Sequence, residues 1–432
     1  MLTQAKSDCE TKFLLKTLST IDYTPYVATV GGRAYMNVDG AGVEGAIRTL
    51  DSLKIEIPSW GFANTGTRFG KYLQAGAAIT LEEKFADASQ VNALTGITPL
   101  LALHVQWDLP AGVADVRTVK RLTAKYGVQA GSINPNLFQD QEYKFGSICN
   151  PDPRVRRKAV DHLLESVEIA KELGSRDVSL WISDGSNYPG AQSIRKRIGW
   201  LEEALRATHD KLEAGKRLLV EYKPFEPAFY HTDIADWGMA AHLAHVAGPQ
   251  ARVLVDTGHH YQAQNIEQIV AWLMHLQLLG GFHFNDRRYA DDDLTIGSID
   301  PYQVFRIFHE IFSEPNAAAA GEVAYMIDQS HNIKGKMEAM IQTVVTAQEL
   351  FLKAALVDRE RLTELQSETR TVDAEECLRS AFWTDVRPML REWRRKRGLP
   401  EDPLQALRES GYVERIEEER RARNAMLSVS YA

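Results

Sequence analysis

Eight short, mostly apolar runs separated by longer amphipathic segments set the strongest constraint on this chain. From about residue 54 they read "KIEIPSWGF", "ITPLLALHV", "GVQAGSI", "DVSLWIS", "RLLVEYKPF", "ARVLVDTG", "GGFHFND" and "VAYMIDQ". The segments between them follow helical grammar. "ADVRTVKRLTAKYG" stops at Gly127, "DPRVRRKAVDHLLESVEIAKELG" stops at Gly174, and "DPYQVFRIFHEIF" starts with Asp300 as N-cap and Pro301 at the first helical position. Near-continuous apolar strands alternating with helices imply a parallel sheet covered by helices. Eight such units fit a (β/α)8 barrel; an open, doubly wound sheet is the alternative. A barrel collects functional side chains from the C-terminal ends of many strands, whereas an open sheet uses one crevice.

The expected fold class is therefore α/β: a (β/α)8 TIM barrel over residues 51–350, with an N-terminal helical extension over 1–50 and a C-terminal helical extension over 351–432. "TAQELFLKAALVDRERLTELQSE" reads as one long helix, and the charged stretch after it turns at "GLPEDP". Its arginines alternate with glutamates, the pattern of a solvated or subunit-bridging surface, so oligomer contacts are expected there. The net charge of -8 argues against a nucleic-acid partner, whose phosphates need a basic face. Cys9, Cys149 and Cys377 are odd in number and widely spaced, as expected for reduced thiols. "MLTQAKSDCETKFLL" has no apolar core of signal-peptide length. No apolar run reaches the ~18 residues of a membrane span, so a cytoplasmic protein without a membrane partner is expected.

Gly40, Gly42 and Gly45 in "DGAGVEGAIRTL" have the spacing of a dinucleotide-binding loop. That reading needs a buried strand upstream and an acid at the end of the next strand. "GGRAYMNV" is a poor strand, and Glu56 lies inside "KIEIPSW" rather than after it. A small-residue loop is expected instead.

The chemistry gathers at the last four strand ends. The fifth carries Glu221 and Lys223, two apart and so on one face; the sixth ends in Asp256, then His259; the seventh carries His283, followed by "NDRRYADDDL"; the eighth ends in Asp328. A lone strand histidine is most often a hydrogen-bonded core residue, and an acid at a strand end often caps the next helix. The conjunction is different. Three carboxylates in one barrel mouth need positive charge beyond Lys223, and a divalent cation supplies it while accounting for the histidines. An oxygen-rich set with some imidazole suits Mn²⁺, or Co²⁺ or Zn²⁺ with more nitrogen. The donors are too numerous for one ion, and two metals sharing Glu221 would use them economically.

Here the chain resembles the L-rhamnose isomerase family, of the broad-specificity bacterial type, within the xylose-isomerase-like barrel superfamily. The resemblance rests on "VEYKPFEP", "VDTGHH", "FHFNDRRYADDDL" and "MIDQSHN", supported by "IPSWGFANTGTRF", "LALHVQWD" and "LWISDGSNYPG". It implies a homotetrameric aldose–ketose isomerase with two divalent metal ions per subunit, Mn²⁺ foremost, acting on a small-molecule sugar. L-rhamnose and L-rhamnulose would be interconverted, with D-allose and D-psicose as related substrates. It implies that Glu221, Asp256, His283 and Asp328 hold the first metal, and that Glu221 bridges to a second completed by His259, Asp291 and Asp293. Asp292 would point elsewhere, and His260 would be a neighbour rather than a ligand. Lys223 would bind a sugar oxygen near the reacting carbons, His104 would assist ring opening, and Asp328 would accept a proton moving between sugar oxygens. Trp60 and Trp181 would wall the pocket, and Phe69 would reach that of a neighbouring subunit. A hydride shift and an enediol route both remain open.

Three other readings compete. A ketose 3-epimerase needs one metal and two opposed carboxylates, typically glutamates, but the fourth strand ends "WISDG" and the eighth in Asp328. An endonuclease of the same barrel class needs a basic groove. A non-catalytic sugar-binding barrel would leave the acids as surface charges.

Overall fold

The computed structural model describes residues 29–30, 33–34, 40–67, 70–226, 230–313 and 321–427. Cys9, Phe69 and most of the expected N-terminal extension lie outside the described residues. The chain divides into two compact units: Met1–Ser52 with Leu352–Val386, and Leu53–Phe351 with Arg387–Ala432.

The larger unit holds the barrel. Its strands are β1 (Ile55–Pro58), β2 (Leu100–His104), β3 (Gln129–Asn134), β4 (Asp177–Trp181), β5 (Arg217–Glu221), β6 (Ala251–Asp256), β7 (Leu279–Phe284) and β8 (Ala324–Ile327). They close in the order β6-β7-β8-β1-β2-β3-β4-β5, every ladder parallel. Each strand is followed by its helix: α1 (Leu81–Thr95), α2 (Val116–Tyr126), α3 (Pro153–Leu173), α4 (Ile194–His209), α5 (Trp237–Ala247), α6 (Ile266–His275), α7 (Pro301–Phe312) and α8 (Lys336–Ala355). All eight apolar runs became strands, because strands buried on both faces have no polar side to display. The stop signals also hold. Gly127 and Gly174 cap α2 and α3 in the left-handed conformation at φ 70° and 71°, and Asp300 accepts the Gln303 N–H at the start of α7.

One irregularity aims the site. Val253 pairs with Leu279, but Leu254 pairs with Gly281, so Gly280 is an extra residue in β7. The shift sets Asp256 level with His283; without it Asp256 would face Phe282, whose side chain points the other way. Phe282 and Phe284 stack at 4.7 Å on the outer face, with Phe284 5.2 Å from Phe308 of α7. A Cβ at Gly280 would lie 2.5 Å from Leu219 Cδ2 and 2.6 Å from the Arg252 Cβ, so only glycine fits there.

Two expectations are corrected. The Gly40, Gly42, Gly45 segment is an α-helix, Gly40–Thr49, not a loop. Val43, Ala46 and Leu50 form a buried stripe at helical spacing, and that burial overrides the glycines. The stretch 346–368 is two helices, α8 and α9 (Arg359–Ser367), bent by 57°. Asp358 makes the break by accepting the Arg361 N–H as an N-cap. In the smaller unit α9 packs on α10 (Thr371–Trp383). Among the described residues no single helix is long and apolar enough to cross a membrane.

Three further helices belong to the barrel unit: α11 (Arg387–Lys396), α12 (Pro403–Glu409) and α13 (Tyr412–Ala425). The α13 anchor is a buried ion pair, Arg420 Nη1 to Asp87 Oδ2 at 2.8 Å, with the Tyr412 hydroxyl donating to Asp87 Oδ1 at 2.7 Å. Asn424 Nδ2 adds hydrogen bonds to the carbonyls of Ala75 and Ala77.

Gly280→Val is expected to destabilise the metal-free protein by about 1–3 kcal/mol through overpacking. Thermal denaturation checks this, and an unchanged melting temperature would contradict the role given to the bulge.

Candidate metal centre

The ends of β5, β6 and β7 supply a set of facing ligand atoms. Glu221 splits its two oxygens: Oε1 lies 3.1 Å from His259 Nδ1 and Oε2 lies 3.3 Å from His283 Nδ1. His283 Nδ1 is also 3.9 Å from Asp256 Oδ2 and 3.7 Å from Asp328 Oδ2. On the other side His259 Nε2 faces Asp256 Oδ2 at 3.8 Å and Asp291 Oδ1 at 3.4 Å. Two groups result, Glu221–Asp256–His283 and Asp256–His259–Asp291, each with its ligand atoms within 4.8 Å of one another. Asp256 thus belongs to both groups, while Glu221 presents one oxygen to each histidine.

These residues fit a cation. Asp256 Oδ2, His283 Nδ1, Asp291 Oδ1 and Asn285 Oδ1 are buried without a hydrogen-bond partner. Buried polar atoms normally have one, and four such orphans among these acids call for a positive charge. His259 Nδ1 lies 3.1 Å from the Tyr222 carbonyl, which can only accept, so Nδ1 is the donor there and Nε2 is the nitrogen turned toward Asp256 and Asp291. Gly258 keeps the space open: a Cβ there would overlap Asn285 Oδ1 and stand 3.0 Å from Asp291 Oδ1 and 3.1 Å from Asp256 Oδ1. The Gly258 N–H donates to Asp256 Oδ1 at 2.7 Å, and Asn285 Nδ2 donates to the same oxygen at 2.9 Å.

The protonation states record the crowding. Burial, then the charges of Glu221, Asp291 and Asp328, push Asp256 up to about 7 against the pull of His259. Burial and the neighbouring acids raise Asp293 and Asp328 as well. Burial also works against charge on Glu221, but His283 and His259 hold its carboxylate well below the usual range. Asp291 is held low by Lys223 and His259 in the same way. Burial opposes charging His283, yet Glu221, Asp328 and Asp256 lift it to about 9. The metal-free centre therefore balances its charge with protons that a divalent cation can replace.

Beside the acids stands an aromatic wall. Trp60 meets His104 edge-on at 6.0 Å, Trp107 stacks on His104 at 3.8 Å, and Phe138 bridges from Trp107 at 5.9 Å to Trp181 at 4.8 Å. Lys223 lies 4.8 Å over the Trp181 ring, with Nζ 2.6 Å from Asp291 Oδ2. β5 ends at Glu221, so Lys223 stands just beyond the ladder. His104 Nδ1 meets the Val105 carbonyl at 2.9 Å, and burial lowers its pKa to about 4. Trp60 is more than a wall: its indole N–H donates to Asp328 Oδ1 at 2.7 Å.

Of the residues singled out in the sequence, Glu221, Lys223, Asp256, His259, His283, Asp291 and Asp328 come together here. Asp293 is tied to them through the charges of Asp291, Asp328 and Asp256 but stands outside both tight groups. His260 turns away and meets the Tyr222 hydroxyl at 2.7 Å. Asn285, Trp107 and Phe138 were missed. Asn285 is two residues after His283 and so on its face, a signal the sequence carried. Trp107 and Phe138 sit in loops after β2 and β3, where no periodicity exists to read.

A model of the xylose isomerase-like TIM barrel family matches residues 96–314. A protein of Mesorhizobium japonicum described as a "probable sugar isomerase" is 38% identical over 389 residues, covering 89% of this chain and 90% of its own. The chain belongs to the xylose isomerase-like barrel family. A second "probable sugar isomerase", from Rhizobium meliloti, is 38% identical over 389 residues, 89% of this chain and 90% of that one. An L-ribulose 3-epimerase structure superposes with a TM-score of 0.51 at 16% identity, over 73% of this chain and 98% of the other, which is agreement in fold.

In this xylose isomerase-like barrel His104 is expected to stay neutral down to about pH 5. NMR titration of its ring should give a midpoint near 4. The folded value lies below the unfolded value of about 6.5. Stability from this residue is therefore full above about pH 6.5 and lost as pH falls toward 4. A midpoint near the unfolded value would contradict its burial.

Proposed function

We propose that this chain is a metal-dependent aldose–ketose isomerase that interconverts L-rhamnose and L-rhamnulose and accepts related pairs such as D-allose and D-psicose. The observation carrying the reading is the split Glu221 carboxylate, one oxygen toward His259 and the other toward His283, with orphaned acid oxygens on both sides. Two sugar isomerase-like relatives at 38% identity over nearly the full chain support it. The first ion is assigned to Glu221, Asp256, His283 and Asp328, and the second to Glu221, His259, Asp291 and Asp293. Mn²⁺ is the preferred ion, and Co²⁺ or Zn²⁺ also suits the donor set. When bound, the ions polarise the sugar's C1 and C2 oxygens.

The protein's side chains do the rest. Trp60 donates to Asp328 Oδ1 and fixes the carboxyl, and Asp328 takes a proton from one sugar oxygen and returns it to the other. Burial raises the pKa of Asp328, which favours its holding that proton. Lys223, fixed between Asp291 and the Trp181 ring, donates to the oxygen next to the reacting carbons. Neutral His104 has Nδ1 engaged by Val105 and offers Nε2 to the ring hydroxyl, which assists opening. The Trp60, Trp107, Phe138 and Trp181 rings exclude water from the apolar side of the sugar. A cytoplasmic homotetramer, with Phe69 completing a neighbour's pocket and the residues beyond 350 making subunit contacts, is part of the same proposal.

Aldoses incubated with Mn²⁺ or Co²⁺ should yield the ketose, L-rhamnose best, and EDTA should abolish it. Conversion of ketoses at C3 with no aldose product would make the protein an epimerase. Asp328→Asn is expected to remove activity with the fold retained, and His259→Ala to cost at least tenfold more than His260→Ala. Wild-type turnover in the first variant, or equal losses in the other two, would overturn those roles.

A further inference from the structure

The middle residue of Asp291-Asp292-Asp293 has a task of its own. Its side chain is exposed, and Oδ2 accepts the backbone N–H groups of Arg288 at 2.6 Å, Tyr289 at 2.8 Å and Ala290 at 3.4 Å. At the base of this loop Asp286 and Leu294 exchange both backbone hydrogen bonds at 2.9 Å. Asp286 Oδ2 then accepts from Ile299 N at 2.8 Å and Asp300 N at 3.0 Å. The segment 286–294 is thus a closed ring folded around one carboxylate, with Asp293 in the left-handed region at φ 48°.

Arg287 leaves the ring on its other side. Its Nε donates to His260 O at 2.9 Å, Nη1 to Thr257 O at 2.7 Å and Nη2 to Tyr261 O at 3.1 Å. One guanidinium therefore grips carbonyls before and after His259.

We propose that Asp292 and Arg287 are positioning residues for the second metal site: Asp292 sets the shape of the loop that presents Asp291 and Asp293, and Arg287 ties that loop to the turn that presents His259. The inference rests on the two-metal reading. The first site needs no such frame, because Glu221, Asp256 and His283 stand in ladder-bonded strands and Asp328 follows β8 directly. The second draws His259, Asp291 and Asp293 from two loops, and loop ligands bind well only when their geometry is fixed before the ion arrives. A carboxylate received by successive backbone N–H groups does that inside the ring. A planar guanidinium with three directed donors does it between the loops, and a lysine cannot.

The test is calorimetric titration of the full-length protein with Mn²⁺, together with amide hydrogen exchange of the metal-free form. Wild type should take up two ions. Asp292→Ala should weaken one of them by roughly 10–100-fold, the usual effect of removing a partner that orients a ligand, and leave the other unchanged. Asp292→Asn, whose amide oxygen still accepts, should recover most of the loss, and Arg287→Lys should weaken the same ion. Exchange at Arg288, Tyr289 and Ala290 should quicken in Asp292→Ala while barrel strands stay protected. Two ions of unchanged affinity in Asp292→Ala would overturn this inference and leave the two-metal reading standing. Equal loss of both ions with the strands still protected would also overturn it. A single ion in wild type would overturn the two-metal reading, and this inference with it.

Discussion

Buried acidic charge in the mouth of the barrel is the constraint on which the site depends. Glu221, Asp256, Asp291 and Asp328 converge with Lys223 set against Asp291, and two histidines are driven to take up protons. Left alone, such a cluster is unfavourable, because ionised groups removed from water must find opposite charge nearby. The nearby structure holds the acids together in spite of that cost. β5, β6 and β7 are hydrogen-bonded into a closed sheet, Gly258 admits no side chain into the gap, and Asn285 fixes the orientation of Asp256.

The barrel separates two chemistries by strand position. The clustered carboxylates, with His259 and His283, come from β5 to β8 and the loops after them, while Trp60, His104, Trp107, Phe138 and Trp181 come from the ends of β1 to β4 and the loops after them. The register joins the halves, since Trp181 is the ladder partner of Glu221. The sugar proposed as substrate matches this division, since a sugar presents oxygens along one edge and C–H groups on its faces. His104 belongs to the aromatic half in its electrostatics as well, because burial keeps it neutral while His259 and His283 are drawn toward charge.

Much of this was legible in the sequence, for physical reasons. A strand buried on both faces must be apolar along its length, so all eight runs announced themselves. An acid or imidazole at the end of such a run stands out against that background, which is why Glu221, Asp256, His283 and Asp328 could be named. What could not be read depends on contacts distant in sequence. Gly280 looks like half of an ordinary Gly-Gly turn, and only its ladder partners show that it shifts the register. The helix Gly40–Thr49 was hidden by its glycines, since burial of Val43, Ala46 and Leu50 is a tertiary fact. Asp358 sits in a long helical pattern and reveals the break only by capping α9. The Trp60 bond to Asp328 joins residues 268 apart, which no local pattern can signal.

The proposed function turns on where charge sits, with two cations proposed between β5 and the loops after β6 and β7. Anomalous diffraction from crystals grown with Mn²⁺ tests it most directly. Two anomalous peaks are predicted in each subunit, one bounded by Glu221, Asp256, His283 and Asp328 and the other reached by His259 and Asp291, with Glu221 touching both. A single peak, or peaks away from these side chains, would contradict the account.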